Sequence, residues 1–315
     1  MSVICPTYNA EKFILNTLTS IITQDYPNIE IVVSDDCSSD DTVVLIKKFI
    51  QESPEGRKII LNVNEQNLGI TPNCNKILSL TSGKYVSMFA GDDIMYQGKI
   101  AAQVAAMEKN PDVSLTYHSV NILDGDDGNK IVFTTEQGSD PSYRSVFDIL
   151  RRGGIFGGCS VMVRADAIPP GGFASDIPSV SDWLMLIEVA LRGRVLFVPG
   201  IYAGYTKHVH GSSRKTYETL HEITCTLDKI DQRFAYHPLI KSVTNAARKR
   251  YLLGEIARLF LDGDCQRLKN LRGNQLVNSP FLAFTALMMQ CLALLRINRL
   301  TIVRRVYIKL SGMVK

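Results

Sequence analysis

Short apolar runs alternate with amphipathic stretches through the first third of the chain. The apolar runs are typical of buried strands and cover residues 2–6, 29–34, 59–63 and 85–89. The stretches after them place apolar residues at helical spacing and predict helices that begin near Asn9, near 38–41, at 72 and at 98. This alternation predicts an α/β fold with a mainly parallel central sheet. Ligands of such a sheet bind beyond the carboxyl ends of its strands.

The pattern changes at about residue 114. Two alternating apolar stretches, 114–123 and 131–135, flank a glycine- and aspartate-rich segment and predict a β-hairpin. Further helices are predicted over 142–152 and 183–192, and a strand over 160–163. The glycine-rich segment at 153–158 is either a flexible connection or a loop on the acceptor side.

Residues 215–315 are predicted to be mostly helical. The predicted organisation is an α/β domain at 1–213, with halves at 1–113 and 114–213, and a helical region at 214–315.

An acidic pair, Asp92-Asp93, follows the apolar run of the fourth predicted strand. Adjacent carboxylates repel each other and are costly to desolvate, whereas a divalent cation neutralises both. Their place at the carboxyl end of a strand therefore indicates a metal that holds a diphosphate, with a solvated turn and helix cap as the alternative. Asp124-Gly125-Asp126 has a similar spacing, but glycines between alternating strands favour a tight solvated turn.

The composition, 315 residues of which 45% are hydrophobic, is that of a globular protein with one large core and room for a helical appendage. The seven cysteines are scattered and contain no C-x-x-C pair, which disfavours a zinc cluster and indicates reduced thiols. Since the first residues already form a predicted strand, we expect no cleaved signal peptide and a cytoplasmic catalytic domain.

Charge is distributed unevenly along the chain. The net charge is +4, but residues 265–315 hold nine Lys or Arg and no Asp or Glu, so the first 264 residues carry −5 by difference. Within the basic region, the segment 281–295 is apolar except for Thr285 and Gln290. Its 15 residues are fewer than the roughly 20 that span a bilayer. The segment is either an interfacial helix facing anionic lipid or a buried helix of a C-terminal bundle.

Five motifs in order resemble those of the family-2 inverting glycosyltransferases, which have the GT-A fold. They are residues 3–9 (VICPTYN), residues 32–40 (VVSDDCSSD), Asn67-Leu68-Gly69, Gly91-Asp92-Asp93 and Ser181-Asp182-Trp183. Each motif is weak alone, but their combination is specific, and the resemblance covers about residues 1–213. It implies a GT-A nucleotide-sugar-binding fold.

The resemblance implies a set of donor-binding residues. Tyr8 would lie against the uracil and Asp36 would hydrogen-bond the base, and a stacking face and an acceptor suit these roles. The complete implied set is Pro6, Thr7, Tyr8, Asn9, Glu11, Asp35, Asp36, Asn67, Gly69, Asn75 and Asp92. A hydrophobic staple for Tyr8 and a helix cap for Asp36 are the structural alternatives.

The resemblance also implies the catalytic chemistry. Asp93 would be the direct ligand of Mn²⁺ or Mg²⁺, Asp92 would lie nearer the sugar or ribose, and His208 would lie near the diphosphate and metal. Asp182 would be the base that removes the proton of the acceptor hydroxyl. The family usually has Glu before this aspartate, and this chain has Ser181.

The function implied is transfer of a hexose from a UDP-sugar to a saccharide acceptor, linked to polyprenyl diphosphate, in O-antigen or capsule-type polysaccharide biosynthesis. The expected location is the cytoplasmic face of the inner membrane. We expect an anionic membrane surface as a partner and no binding of nucleic acid. The alternatives are a sugar-nucleotide-binding protein without transfer activity and a nucleotidyltransferase. A dinucleotide oxidoreductase is disfavoured because no G-x-G-x-x-G follows the first strand.

Overall fold

A computed structural model describes residues 1–53, 58–125, 130–135, 144–152, 154–155, 157–178, 180–207, 216–262, 264 and 266–267. The chain divides into two compact units, Met1–Lys215 and Thr216–Lys315. The first is an α/β unit and the described part of the second is helical.

The first half of the α/β unit is a run of parallel strands joined by helices. The elements in order are β1 Ser2–Thr7, α1 Ile14–Ile22, β2 Glu30–Asp35, α2 Thr42–Glu52, β3 Lys58–Val63, α3 Ile70–Leu78 and β4 Tyr85–Met88. The strands lie in the order β3-β2-β1-β4, and all three pairings are parallel. The parallel α/β arrangement predicted from the sequence is confirmed, and it brings the carboxyl ends of these strands to one edge.

The second half extends this sheet with strands of both directions. Its elements are β5 Ile94–Met95, α4 Lys99–Lys109, β6 Val113–Asp124, β7 Ile131–Thr134, α5 Val146–Arg152, β8 Met162–Arg164, α6 Ser181–Ala190 and β9 Arg194–Lys207. The sheet continues β4-β8-β6-β9-β5, and β8 is antiparallel to both its neighbours. β7 pairs antiparallel with β6, which confirms the predicted hairpin. The sequence did not predict β5 or β9.

Burial explains why the central strands read as continuous apolar runs. Every residue of β2 is buried, as expected for a strand with helices on both faces. Helix α1 packs on the sheet through Ile14, Leu18, Ile21 and Ile22. The last three follow Ile14 by four, seven and eight positions, which places all four on one face of the helix. Burial of these apolar side chains is the main contribution to the free energy that holds the helix on the sheet.

The start of α1 differs from the sequence prediction. The helix begins at Ile14, and Asn9 lies in the preceding loop with a φ of 49°. The Asn9 side-chain oxygen accepts a hydrogen bond from the Ser39 N–H at 2.9 Å, and the Asn9 N–H donates to Ser38 Oγ at 2.8 Å. Asn9 therefore joins two loops of the sheet edge and does not cap the helix.

The second unit contains α7 Thr216–Arg233 and α8 Ile240–Asp262. Arg248 on α8 forms ion pairs with Asp228 and Asp231 on α7, at 2.6 and 2.7 Å. The predicted helical character after residue 215 is confirmed as far as the structure describes it. Among the described residues, no helix is long and apolar enough to cross a bilayer. The segment 281–295 and its basic neighbours lie outside the described residues.

Candidate active site

The candidate site begins where three neighbouring strands end. Backbone pairing continues past the ends of β1 and β2, because the Asp36 N–H donates to the Thr7 carbonyl at 3.0 Å. On the other side of β1, the Gly91 N–H donates to the Pro6 carbonyl at 3.1 Å. The loops that carry Tyr8, Asp36 and Asp92 are thus held together at one edge of the sheet, as the motif spacing predicts.

Gly91 allows the acidic loop to lie directly against β1. A Cβ atom at this position would lie 2.7 Å from Thr7 Oγ1 and 2.9 Å from Thr7 Cβ, both closer than real contacts. A larger residue would push the loop, and Asp92 with it, away from β1.

Asp36 organises the turn that precedes α3. Its carboxylate is 4% exposed and accepts hydrogen bonds from Leu68 N–H and Asn64 Nδ2 on Oδ1, and from Gly69 N–H on Oδ2. A carboxylate has about four acceptor positions, so one remains on Oδ2. Gly69 has a φ of +86°, and the Asn67 side-chain oxygen also accepts its N–H, at 3.0 Å.

Tyr8 is the exposed member of the predicted nucleoside pocket. Its side chain is 52% exposed and leaves a ring face available, whereas Pro6 is half-buried and Thr7 is 5% exposed. Thr7 Oγ1 is buried and finds no hydrogen-bond partner among the described residues. An aromatic ring at the end of β1 suits stacking on a base.

Glu11 and Asp35 both accept hydrogen bonds from the loop that follows β2. Asp35 is fully buried and accepts hydrogen bonds from Ser38 N–H and Ser38 Oγ, at 2.8 and 2.5 Å. The Glu11 carboxylate accepts the Asp41 N–H at 3.2 Å. Glu11 thus contacts a neighbouring loop and Asp35 contacts its own loop, and their donor-binding roles stay predictions.

The two members of the acidic pair differ in accessibility. Asp92 is half-buried, whereas Asp93 is only 2% exposed. Asp93 Oδ1 accepts the Thr206 N–H of β9 at 2.9 Å, and the Asp93 carbonyl accepts Thr17 Oγ1 at 2.8 Å. One oxygen of the Asp93 carboxylate thus joins the acidic loop to β9. That Asp93 is the direct metal ligand stays a prediction.

Desolvation by burial raises the pKa of Asp93 well above its usual range, and the negative charge of Asp92 raises it further. Hydrogen bonds from Thr206 N–H and from the Cys159 side chain oppose this shift. The protonated form of Asp93 is therefore favoured more than that of an exposed aspartate.

A buried lysine that the sequence did not indicate lies behind the acidic pair. Lys99 is 0% exposed, and its ammonium donates to Ser87 Oγ and to Gln103 Oε1, both at 2.8 Å. Burial lowers its pKa to about 7. Lys99 is the first residue of α4, and the sequence around it did not indicate that its side chain is buried.

Asp182 lies in the first turn of α6. Its Oδ1 accepts the N–H of Trp183 at 2.8 Å, and the Trp183 indole N–H donates to the Ile149 carbonyl at 3.0 Å. Asp182 is exposed, and partial desolvation of its carboxyl group raises its pKa. The N–H groups of Trp183 and of Asp182 itself oppose the shift.

The predicted catalytic base and the predicted nucleobase-binding residue both lie near α3, since Asp36 accepts the N–H groups of Leu68 and Gly69 just before it and Ser181, next to Asp182, contacts Thr71 on it. Burial raises the pKa of Cys74 to about 12, and the negative charges of Asp182 and Asp36 raise it as well. Both carboxylates are therefore within electrostatic reach of the same helix, although 146 residues separate them in the sequence.

Asn75 holds a loop against α3. Its amide nitrogen donates to the Phe173 carbonyl at 2.8 Å, and its amide oxygen accepts the Phe173 N–H at 2.8 Å. With both amide groups engaged, the side chain positions the loop before α6. His208 follows the end of β9 and lies outside the described residues.

The residues present fit a metal that completes its ligand shell with substrate. Among the described residues, no group of three or more His, Cys, Asp or Glu side chains is placed to hold an ion. Mg²⁺ and similar cations commonly bind through one or two carboxylates together with substrate phosphates and water. The half-buried Asp92 carboxylate at the sheet edge supplies a hard oxygen ligand of this kind.

Comparison with protein families then identifies the group to which these motifs belong. Residues 2–168 match the model of Glycosyl transferase family 2. The chain belongs to this family. The match covers the strand ends, the acidic pair and the Asp36 turn, whereas Ser181-Asp182-Trp183 lies beyond it, and it confirms the predicted family and its GT-A fold.

Among characterised family-2 relatives, the chain resembles the Escherichia coli enzyme WfgD, a UDP-Glc:alpha-D-GlcNAc-diphosphoundecaprenol beta-1,3-glucosyltransferase. The two are 33% identical over 123 residues, which are 39% of this chain and 46% of WfgD. The putative teichuronic acid biosynthesis glycosyltransferase TuaG of Bacillus subtilis is 31% identical over 137 residues, 43% of this chain and 53% of TuaG. The chain thus spans about half the length of these relatives.

Solved structures share the fold. Staphylococcus aureus TarS 1-349 in complex with UDP-GlcNAc has a TM-score of 0.56 at 20% identity, with coverage of 73% of this chain and 66% of TarS. The mannosyltransferase PcManGT of Pyrobaculum calidifontis, in complex with GDP-Man and Mn²⁺, has a TM-score of 0.60 at 16% identity, with coverage of 99% and 79%. At these identities the likeness supports the fold alone.

Proposed function

We propose that this chain is an inverting glycosyltransferase that moves a hexose from a UDP-sugar to a saccharide acceptor. The observation that carries the proposal is that α3 contacts both regions: Asp36 accepts the N–H groups of Leu68 and Gly69 just before this helix, and Thr71 on it lies 2.6 Å from Ser181, the neighbour of Asp182. A group suited to the nucleotide and a carboxylate suited to proton removal thus lie near the same helix, and Asp92 lies across β1 from Asp36.

The donor nucleoside would bind between Tyr8 and Asp36. Tyr8 offers an exposed ring for stacking, and Asp36 Oδ2 retains one acceptor position for the ring N–H of uracil. The complexes of TarS with UDP and UDP-GlcNAc support a uridine donor. PcManGT binds GDP-Man, so the fold also accepts guanosine donors.

The diphosphate would lie over the acidic loop, where Asp92 would hold Mn²⁺ or Mg²⁺ and His208 remains a candidate second contact. When bound, the metal would neutralise charge on the departing nucleotide. The complexes of PcManGT and of GalNAc-T7 with Mn²⁺ support a metal of this kind. We assign Asp93 a positioning role, because its carboxylate already accepts the Thr206 N–H.

Asp182 would act as the base. Inversion requires the acceptor hydroxyl to attack C1 of the hexose from the face opposite the diphosphate, and a positioned carboxylate removes the proton as the new bond forms. The exposed position of Asp182 admits an acceptor, and its raised pKa makes it a stronger base than an ordinary aspartate. The Trp183 N–H orients the carboxylate by binding one of its oxygens.

The acceptor we propose is a saccharide linked to polyprenyl diphosphate, in the assembly of an O-antigen or capsule-type polysaccharide. The names of WfgD and TuaG, one with a lipid diphosphate acceptor and one in teichuronic acid biosynthesis, support this class. The acceptor would enter at the start of α6, where Asp182 lies in the first turn.

A donor screen tests the proposal. We expect the purified chain with Mn²⁺ to release UDP from one UDP-hexose in a panel, with much faster release when a synthetic polyprenyl-diphosphate N-acetylhexosamine is present. GDP- and TDP-sugars are the matched controls. Donor binding without release would favour a sugar-nucleotide-binding protein, and release of pyrophosphate from a nucleoside triphosphate and a sugar phosphate would favour a nucleotidyltransferase.

We propose that the chain also attaches to the cytoplasmic face of the inner membrane. The nine basic residues after position 264 support this, since each can contribute about 1 kcal/mol near an anionic leaflet. In the second unit, Tyr236 and Leu239 are 79% and 56% exposed in the turn between α7 and α8, as at interfacial sites.

A flotation assay tests this attachment. Replacement of Arg299, Arg304 and Arg305 by Gln should reduce flotation with anionic vesicles, and raised salt should weaken binding of the unmodified chain. Neutral vesicles are the control. Equal flotation of both proteins with anionic vesicles at low salt would contradict the electrostatic attachment.

A further inference from the structure

The hydroxyl of Thr71 connects α3 to the segment that carries Asp182. Thr71 is the second residue of α3 and is 0% exposed. Its Oγ1 lies 2.7 Å from the Ile177 carbonyl, 2.9 Å from the Pro178 carbonyl and 2.6 Å from Ser181 Oγ. All three partners belong to the approach to α6, about 110 residues further along the chain.

The direction of these hydrogen bonds follows from the chemistry of the partners. Carbonyl oxygens accept and cannot donate, so the single proton of the Thr71 hydroxyl serves Ile177 and Pro178. Ser181 must then donate its own proton to Thr71 Oγ1. Ser181 is 2% exposed and directly precedes Asp182, so this donation fixes the backbone from which the base projects.

The same helix is fixed on its nucleotide side. The Asp36 carboxylate accepts the N–H groups of Leu68 and Gly69, the two residues before α3, both at 2.8 Å. One turn further along α3, Asn75 binds Phe173 through both of its amide groups. Helix α3 therefore connects the turn held by Asp36 to Ser181, the residue that directly precedes the proposed catalytic base Asp182.

We propose that Thr71 is a positioning residue for Asp182, acting through Ser181. The inference rests on the proposed role of Asp182 as the base. Its physical content is that the Thr71 hydroxyl sets the start of α6, and with it the distance from the Asp182 carboxylate to the acceptor hydroxyl. Displacements of about 1 Å in such groups can reduce turnover about 100-fold.

Thr71→Val tests the inference because it removes the hydroxyl and retains the shape. We expect kcat to fall about 10-fold or more, with the dissociation constant for UDP within twofold of the unmodified value. Thr71→Ser restores the hydroxyl and should recover most of the turnover. The matched control is Thr244→Val, which removes a fully buried hydroxyl bound to Asp231 in the second unit and should leave kcat unchanged.

A double-mutant cycle with Asp182→Asn separates positioning from general stability. If Thr71 acts through Asp182, Thr71→Val should cost little further turnover once the base is absent. Equal losses in both backgrounds, or a Thr71→Val variant with kcat within twofold of the unmodified chain, would overturn the inference.

If Thr71→Val does not fold, Ser181→Ala replaces it in the cycle, since it removes the same hydrogen bond from the other side, and the same two outcomes decide. If Asp182→Asn itself retains full turnover, the proposed base is wrong, whatever Thr71 does.

Discussion

Replacement of Asp182 by Asn should lower kcat for transfer by about 100-fold or more, the usual scale for loss of a positioned base. The change is nearly isosteric, and the Asn side-chain oxygen can still accept the Trp183 N–H that binds Asp182 at 2.8 Å. The start of α6 and the donor pocket should therefore persist. We expect the dissociation constant for UDP to stay within twofold, measured by calorimetry beside steady-state transfer.

The same variant should change the pH dependence. The base must be deprotonated to act, so turnover falls as pH drops below the pKa of Asp182, which burial raises above its usual range. The acidic limb should therefore lie above the ordinary aspartate pKa of about 4, and it should disappear in Asp182→Asn.

Asp166→Asn is the control for this experiment. Asp166 is exposed after β8, whose end pairs with the start of β4, at the edge of the sheet opposite the site. A loss of UDP affinity in Asp182→Asn, with kcat unchanged, would make Asp182 a binding residue.

The sequence was sufficient for the parallel half of the sheet because its strands are short, apolar and bounded by turns. Strand β9 was missed for a physical reason. It contains Pro199, Gly200 and Gly204, residues that argue against a strand, and its register with β6 shifts near Tyr117 and Ser119. Gly200 adopts a φ of +133° within the strand, where it relieves contact with Tyr202. Tertiary pairing overrides the local signals there.

The motifs predicted where the candidate site lies but not which contacts each residue makes, because the hydrogen-bond partners are distant in sequence. Asn75 binds a residue 98 positions away, and Thr71 binds one 110 positions away. No local pattern contains this information. The accessibility of Asp93 has the same cause, since its partner Thr206 lies on β9, the strand that the sequence did not predict.

The second large effect is expected at the acidic pair, because replacement by Asn should abolish metal binding at one of its members and be tolerated at the other. Asp92→Asn removes the half-buried carboxylate proposed to hold the metal, so we expect loss of Mn²⁺-dependent transfer and of Mn²⁺-dependent UDP binding. The unfolding midpoint should stay near that of the unmodified chain, because Asp92 is not a core residue. Calorimetric UDP titrations with and without Mn²⁺, beside thermal unfolding, measure both.

Asp93→Asn should be tolerated far better. Burial already favours the protonated form of Asp93, and the neutral Asn oxygen can accept the Thr206 N–H in its place. Asp93→Ala, in contrast, leaves that buried N–H without its acceptor, which costs about 1–3 kcal/mol of the free energy of unfolding. The pair thus separates a ligand from a positioning residue: if Asp93→Asn loses Mn²⁺-dependent UDP binding while Asp92→Asn keeps it, the metal binds Asp93 and the assignment of Asp92 is wrong.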